Sequence, residues 1–138
     1  MSYLLDTNAL SEATKPRPDE TALAWLEAHE DLASVSAVSL GEIWKGIELL
    51  PQGRRRRGLE AWMISLEAEY ADRILVADRR VMRKWGELCA RHEKAGRKLP
   101  ILDSLLAATA LAHDLTLVTR NTADYPPEVR TLNPWRVR

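Results

Sequence analysis

The sequence predicts a single α/β domain in which a parallel sheet of four to five strands is flanked by helices. Three observations carry this. Short apolar runs alternate with helix-length amphipathic segments from one end of the chain to the other, the order of a parallel sheet with crossover helices. The run Thr116-Leu117-Val118-Thr119 is apolar almost throughout, as in the middle of a sheet covered on both faces. No repeat, low-complexity tract or long linker divides the chain, and 138 residues suit one domain spanning 1–138.

Taken in order, Tyr3-Leu4-Leu5 is a buried strand that ends on Asp6-Thr7-Asn8, a carboxylate, a hydroxyl and an amide. In an open α/β sheet, ligands sit beyond the carboxyl ends of the strands, so this placement suits chemistry; it also suits a simple helix cap. A short helix through Ala13 stops at Lys15-Pro16-Arg17-Pro18. Asp19 caps a helix to about His29, with Ala22, Leu23, Leu26 and Trp25 facing in. Leu32 to Ser36 is the second strand. Ser39-Leu40-Gly41-Glu42 has the form of a capping box opening a helix from Leu40 to about Leu50. Pro51-Gln52-Gly53 ends that helix, and Arg54 to Arg57 lie in the loop before a second amphipathic helix marked by Leu59, Trp62, Met63, Leu66 and Tyr70.

Ile74-Leu75-Val76 is the third strand. Asp78 caps a helix that carries Val81, Trp85, Leu88 and His92 and ends at Gly96. Asp103 to His113 is the most apolar helix. Thr116 to Thr119 is the fourth strand, a loop from Arg120 to Pro127 follows, and Val129 to Leu132 is an edge strand before Asn133-Pro134-Trp135.

Composition excludes several classes. Lys plus Arg and Asp plus Glu each number 20, so no global field draws the chain to nucleic acid or an anionic membrane; any such binding rests on a local patch. Cys89 is the only cysteine, which excludes an intramolecular disulfide and fits a reducing cytoplasm. No signal peptide opens the sequence, and no run approaches 18 apolar residues, the length of a membrane span. There is no phosphate-cradling Gly-x-x-x-x-Gly-Lys-Ser/Thr loop and no Gly-x-Ser-x-Gly elbow.

The acids are the candidates for chemistry. Asp6, Glu42, Asp103 and Asp124 each fall near a strand's carboxyl end or a helix's amino end. Singly, each has a structural reading: a cap, a capping box, a dipole partner, an Asx-turn. Together they form a set of like charges that needs a cation. Oxygen ligands without paired histidines suit Mg²⁺ or Mn²⁺ rather than Zn²⁺. Such a site commonly works on phosphoryl groups.

Leu4-Leu5-Asp6-Thr7-Asn8, Ser39-x-x-Glu42, Leu102-Asp103-Ser104-Leu105-Leu106-Ala107-Ala108-Thr109-Ala110, Leu117-Val118-Thr119-Arg120-Asn121-x-x-Asp124-Tyr125 and Asn133-Pro134-Trp135, in that order, resemble the PIN-domain ribonucleases. The nearest subgroup is the VapC/FitB-like toxins of type II toxin–antitoxin pairs. The resemblance implies a PIN-like fold and Mg²⁺- or Mn²⁺-dependent endonucleolytic cleavage of RNA. It implies Asp6 and Asp103 as principal metal ligands, with Glu42 at the metal directly or through water. Thr7, Asn8, Thr119 and Asn121 would line the cleft. Relatives carry the fourth acid at either of two positions, and here Asp124 takes that role while Asn121 is neutral. The resemblance also implies a homodimer, inhibition by a cognate antitoxin that places a basic side chain in the cleft, and contact with DNA only through the antitoxin. Two other readings stay open: a catalytically inactive PIN-fold binding module, and another magnesium phosphohydrolase acting on DNA or a small phosphoester. The arginine run is either a solvated turn or a contact to an RNA backbone.

Overall fold

The structure is a computed structural model and describes residues 1–137. Five parallel strands form one sheet: β1 (Tyr3–Leu5), β2 (Ala33–Ser36), β3 (Ile74–Leu75), β4 (Thr116–Val118) and β5 (Thr131–Leu132). Their order is β3-β2-β1-β4-β5. The chain winds outward from β1 to β3, then returns to the other side of β1 for β4. The strand order therefore reverses between β1 and β4, and a crevice opens beyond their carboxyl ends.

Alternation along the strands divides the core. Tyr3 and Leu5 point to one face with Val35 and Val118, while Leu4 points to the other with Leu117. The first face is covered by α1 (Thr7–Ser11), α2 (Glu20–Ala28), α3 (Ala37–Glu48) and α4 (Arg54–Glu69) through Leu10, Leu26, Ile43, Ile47 and Met63. The second is covered by α5 (Arg79–Lys94) and α6 (Ile101–Ala112) through Leu88, Leu106 and Ala107. Alanines 107, 108, 110 and 112 are all buried, so α6 lies close against its neighbours. Among the described residues, no helix is long and apolar enough to cross a membrane.

Two local expectations are corrected. Helix α3 starts three residues earlier than the Ser39 motif implies: Ser36 is the cap, its Oγ accepting from the Val38 N–H at 3.0 Å. Strand β2 already ends at Ser36, so the nearer serine takes the cap. Ser39 is buried inside the helix, and no capping box forms. The second correction concerns Arg54 to Arg57, which are the first turn of α4 and not a loop. Cations oppose the dipole at a helix N-terminus. Arg56 turns away from it, donating to the Glu48 carboxylate and to the Leu50 carbonyl (3.1 Å) at the end of α3, where a cation is favoured. Smaller shifts are the start of α6 at Ile101, the start of α1 at Thr7, and a β5 of only two residues.

Candidate active site

The crevice between β1 and β4 is where the sequence gathers its acids. Strand β1 ends at Leu5, and the Asp6 N–H donates to the Val118 carbonyl at 2.9 Å, so Asp6 emerges beside Thr119 at the end of β4. Asp6 is buried, at 7% exposure, and both its oxygens accept hydrogen bonds. Its Oδ1 accepts from the Thr7 N–H at 2.7 Å and caps α1. Its Oδ2 accepts from the Thr119 hydroxyl at 2.8 Å and from the Tyr125 hydroxyl at 2.9 Å. Capping and site-building are thus divided between the two oxygens of one carboxylate.

The remaining polar groups link to this hub. Thr7 donates its hydroxyl to Glu42 Oε1 at 2.9 Å, joining α1 to α3. Glu42 lies one turn into α3, and with the cap at Ser36 it is free of any capping duty. The Thr119 hydroxyl accepts from the Asn121 N–H at 3.1 Å and the Asn8 side chain at 3.4 Å. The Asn8 Oδ1 in turn accepts from the Arg120 N–H at 3.3 Å, pinning the loop after β4 to the start of α1.

Asp103 enters from the first turn of α6. Its carboxyl is held above the usual carboxylate range, first by burial and then by the charges of Asp6, Asp124 and Glu42. All four expected acids therefore act on one region. Asp124 is exposed on the short turn Thr122–Asp124, and Asn121 stands at the head of that turn. Among the described residues, none of the four acids forms a salt bridge with Lys, Arg or His. The histidines take no part: His29 stacks on Trp25, His92 binds Glu128, and His113 lines a separate cleft with Leu115.

Tyr125 is the residue that sequence reasoning left out of the site. Burial, then the adjacent Asp6 charge and the hydrogen bond to it, hold its hydroxyl protonated far above the ordinary tyrosine range. It is a fixed donor. The available signal was its place beside Asp124, since a buried tyrosine tip needs a partner.

The donor set is all oxygen and, among the described residues, is paired with no cation, which fits a hard divalent ion. The fit is one of charge and donor type. Among the described residues, no three His, Cys, Asp or Glu side chains stand close enough to form a finished coordination cage.

Comparison with known proteins agrees with this arrangement. The PIN domain family model matches residues 3–124. The chain is 35% identical over 136 residues to toxin FitB of Neisseria gonorrhoeae, covering 96% of this chain and 97% of FitB. It is 33% identical over 138 residues to the VapC ribonuclease Y4jK of Sinorhizobium fredii, covering 96% of each. It is also similar to the solved structure of FitAB bound to an IR36 DNA fragment, with TM-score 0.90 and 33% identity over 99% of this chain and 97% of that one. A parallel sheet that reverses at β1 and β4, acids gathered at that reversal, and a family match over most of the sequence lead to one conclusion: the chain belongs to the PIN-domain family.

Proposed function

We propose that this protein is the toxin of a type II toxin–antitoxin pair, a divalent-metal-dependent endoribonuclease acting through the β1/β4 crevice as one domain over residues 1–138. The observation that carries the reading is the state of Asp103 in the crevice: raised by burial and then by Asp6, Asp124 and Glu42, with no basic side chain among the described residues forming a salt bridge there. Its full-length similarity to toxin FitB and to a VapC ribonuclease supports the substrate class.

In this reading Asp6 and Asp103 hold the ion, with Glu42 and Asp124 completing the negative field. Oxygen donors favour Mg²⁺, with Mn²⁺ as a substitute. The ion supplies a water of lowered pKa and charge stabilisation at the phosphoryl oxygens. The chain's own residues supply position. Tyr125 and Thr119 fix Asp6 by donating to Oδ2, and Thr7 holds Glu42 in register with Asp6. Asn8 and Asn121 tether the loop after β4.

The partners follow. A cognate antitoxin inhibits by offering a basic side chain to the unpaired acids. The toxin acts in the cytoplasm as a homodimer, and it meets DNA only through the antitoxin, as a counterpart of the DNA-bound FitAB assembly. The test is cleavage of purified RNA with Mg²⁺, with chelator, and by Asp103→Asn protein. Cleavage that needs both the ion and Asp103 supports the reading. Metal-independent cleavage, or none by the wild type, contradicts it.

A further inference from the structure

The acid site adjoins a cleft of about 630 Å³ lined by Arg120, Asn121, Asp124, Trp135 and Arg136, among others. Arg120 and Trp135 also line a second cleft of about 590 Å³ that carries Lys15 and Arg17 together with Glu12, Asp19 and Glu20. The two clefts share a wall of Asp19, Arg120 and Trp135, and the first reaches Asp124.

The cations here are set apart by their place in the two clefts, since Arg54, Arg55, Arg57 and Arg79 are likewise exposed and, among the described residues, without a salt bridge. Arg17, Arg120 and Arg136 are exposed, and among the described residues none of them forms a salt bridge. Arg56, Arg73, Arg91 and Arg130 all do, and Lys15 is engaged by Glu12 at 2.8 Å. Arg120 is also held in place. Its guanidinium lies over the Trp135 ring, 5.4 Å from the centroid. Its N–H donates to Asn8, and its carbonyl accepts from the Asn133 side chain at 3.2 Å.

A cluster of unpaired acids repels a polyanion, and a net charge of zero supplies no global attraction to offset this. Local cations have to do so: Arg120 and Arg136 line the cleft that reaches Asp124, and Arg17 lines the cleft next to it. Arginine suits the task because it binds phosphate through a planar fork and stacks on bases. We infer that the two clefts bind the RNA strand flanking the scissile phosphate. Arg17 and Arg136 neutralise phosphates, and Arg120, supported by Trp135, accepts a base on its plane. The substrate class rests on the nuclease reading above.

The experiment is binding of a labelled single-stranded RNA of about a dozen nucleotides, in chelator, across a salt series. The proteins are wild type, Arg17→Gln/Arg120→Gln/Arg136→Gln, and Arg54→Gln/Arg55→Gln/Arg57→Gln. Each lost phosphate contact lowers the slope of log affinity against log salt by about 0.7, so the first variant should lose about 1.4, from Arg17 and Arg136, and the second nothing. The double variant Arg17→Gln/Arg136→Gln removes no side-chain hydrogen bond and should lose about 1.4 even if replacing Arg120 perturbs folding. A poly-glutamate peptide of equal charge should compete at least tenfold less well, because it offers Arg120 no base. An unchanged slope in both cleft variants, a slope lost only in the α4 variant, or equal competition by the peptide would overturn the inference. Wild-type cleavage is measured in parallel. Cleavage with an unchanged slope leaves the nuclease reading intact, and a fallen slope without cleavage leaves the binding site but removes the nuclease.

Discussion

Glu12 and Asp103 are both acids at the start of a helical turn, both drawn away from water, and their carboxyls shift in opposite directions. Burial raises each. At Glu12 that is more than offset by the Lys15 ammonium and the Asp19 N–H, and the carboxyl ends below its ordinary range. At Asp103 three carboxylates add to the effect of burial, and among the described residues nothing cationic opposes them. Glu128 follows Glu12: burial raises it, while its own backbone N–H, His92 and Arg91 bring it down. An acid with its own cationic partner belongs to the scaffold. An acid surrounded by other acids marks the place where a cation or a positive group belongs.

The largest effect expected from this contrast is on catalysis. Asp103→Asn should lower kcat by more than the roughly 100-fold upper end seen when a group that merely orients a metal ligand is lost. Glu12→Ala should leave kcat per folded molecule unchanged while costing about 1–3 kcal/mol of stability, since the buried acid's hydrogen bond and ion pair go. The pH dependence separates them by sign. The raised carboxyl of Asp103 disfavours the fold above its folded pKa, and that cost is relieved as pH falls through it. The lowered carboxyl of Glu12 stabilises above the unfolded pKa, and that contribution is lost as pH falls through the folded value. Melting curves of the two variants across mild acid distinguish these senses.

Glu42 sharpens the contrast next. Gln at this position still accepts from Thr7 but carries no charge. Glu42→Gln should cut activity tenfold or more, on the order expected for an electrostatic role, with little change in melting temperature. Equal activity would move Glu42 to the scaffold side. Tyr125→Phe should act more weakly, lowering the apparent affinity for the divalent ion by about tenfold, because Thr119 still holds Asp6 Oδ2. A titration followed by melting temperature reads this without catalysis, and no change in affinity would remove Tyr125 from the site.

What the sequence showed in advance follows from which interactions are local. The strands were legible as apolar runs, and so were the ends on which Asp6 and Thr119 sit. The start of α3 was not, because two serines three apart both suit a cap and only the end of β2 decides between them. The arginine run looked like a loop because it follows the Pro51-Gln52-Gly53 stop and comes before Leu59, the first apolar position of the next helix. Arginine is nonetheless a good helix former, and the contacts that steady the turn come from the end of α3. Tyr125 meets Asp6 across 119 residues of sequence, a pairing visible only in the folded chain. The smallest expected effects lie in that arginine run. Arg56→Ala should lower the melting temperature by a few degrees, roughly the effect of one kcal/mol in a domain of this size. Arg54, Arg55 and Arg57, which are exposed, should be nearly neutral. Equal losses at all four would contradict the assignment of Arg56 as the tie to α3.

The most direct test of a cation site at the reversal of the sheet is thermal stability against Mg²⁺ and Mn²⁺ for wild type, Asp103→Asn and Glu12→Ala. In chelator, Asp103→Asn should melt slightly above wild type, roughly 1–2 °C once solvent screening of a half-exposed carboxylate is allowed for. At 100 times its dissociation constant a divalent ion should add about 2.7 kcal/mol to wild type and to Glu12→Ala, and far less to Asp103→Asn. Equal stabilisation of all three proteins, or none of the wild type, would contradict the site.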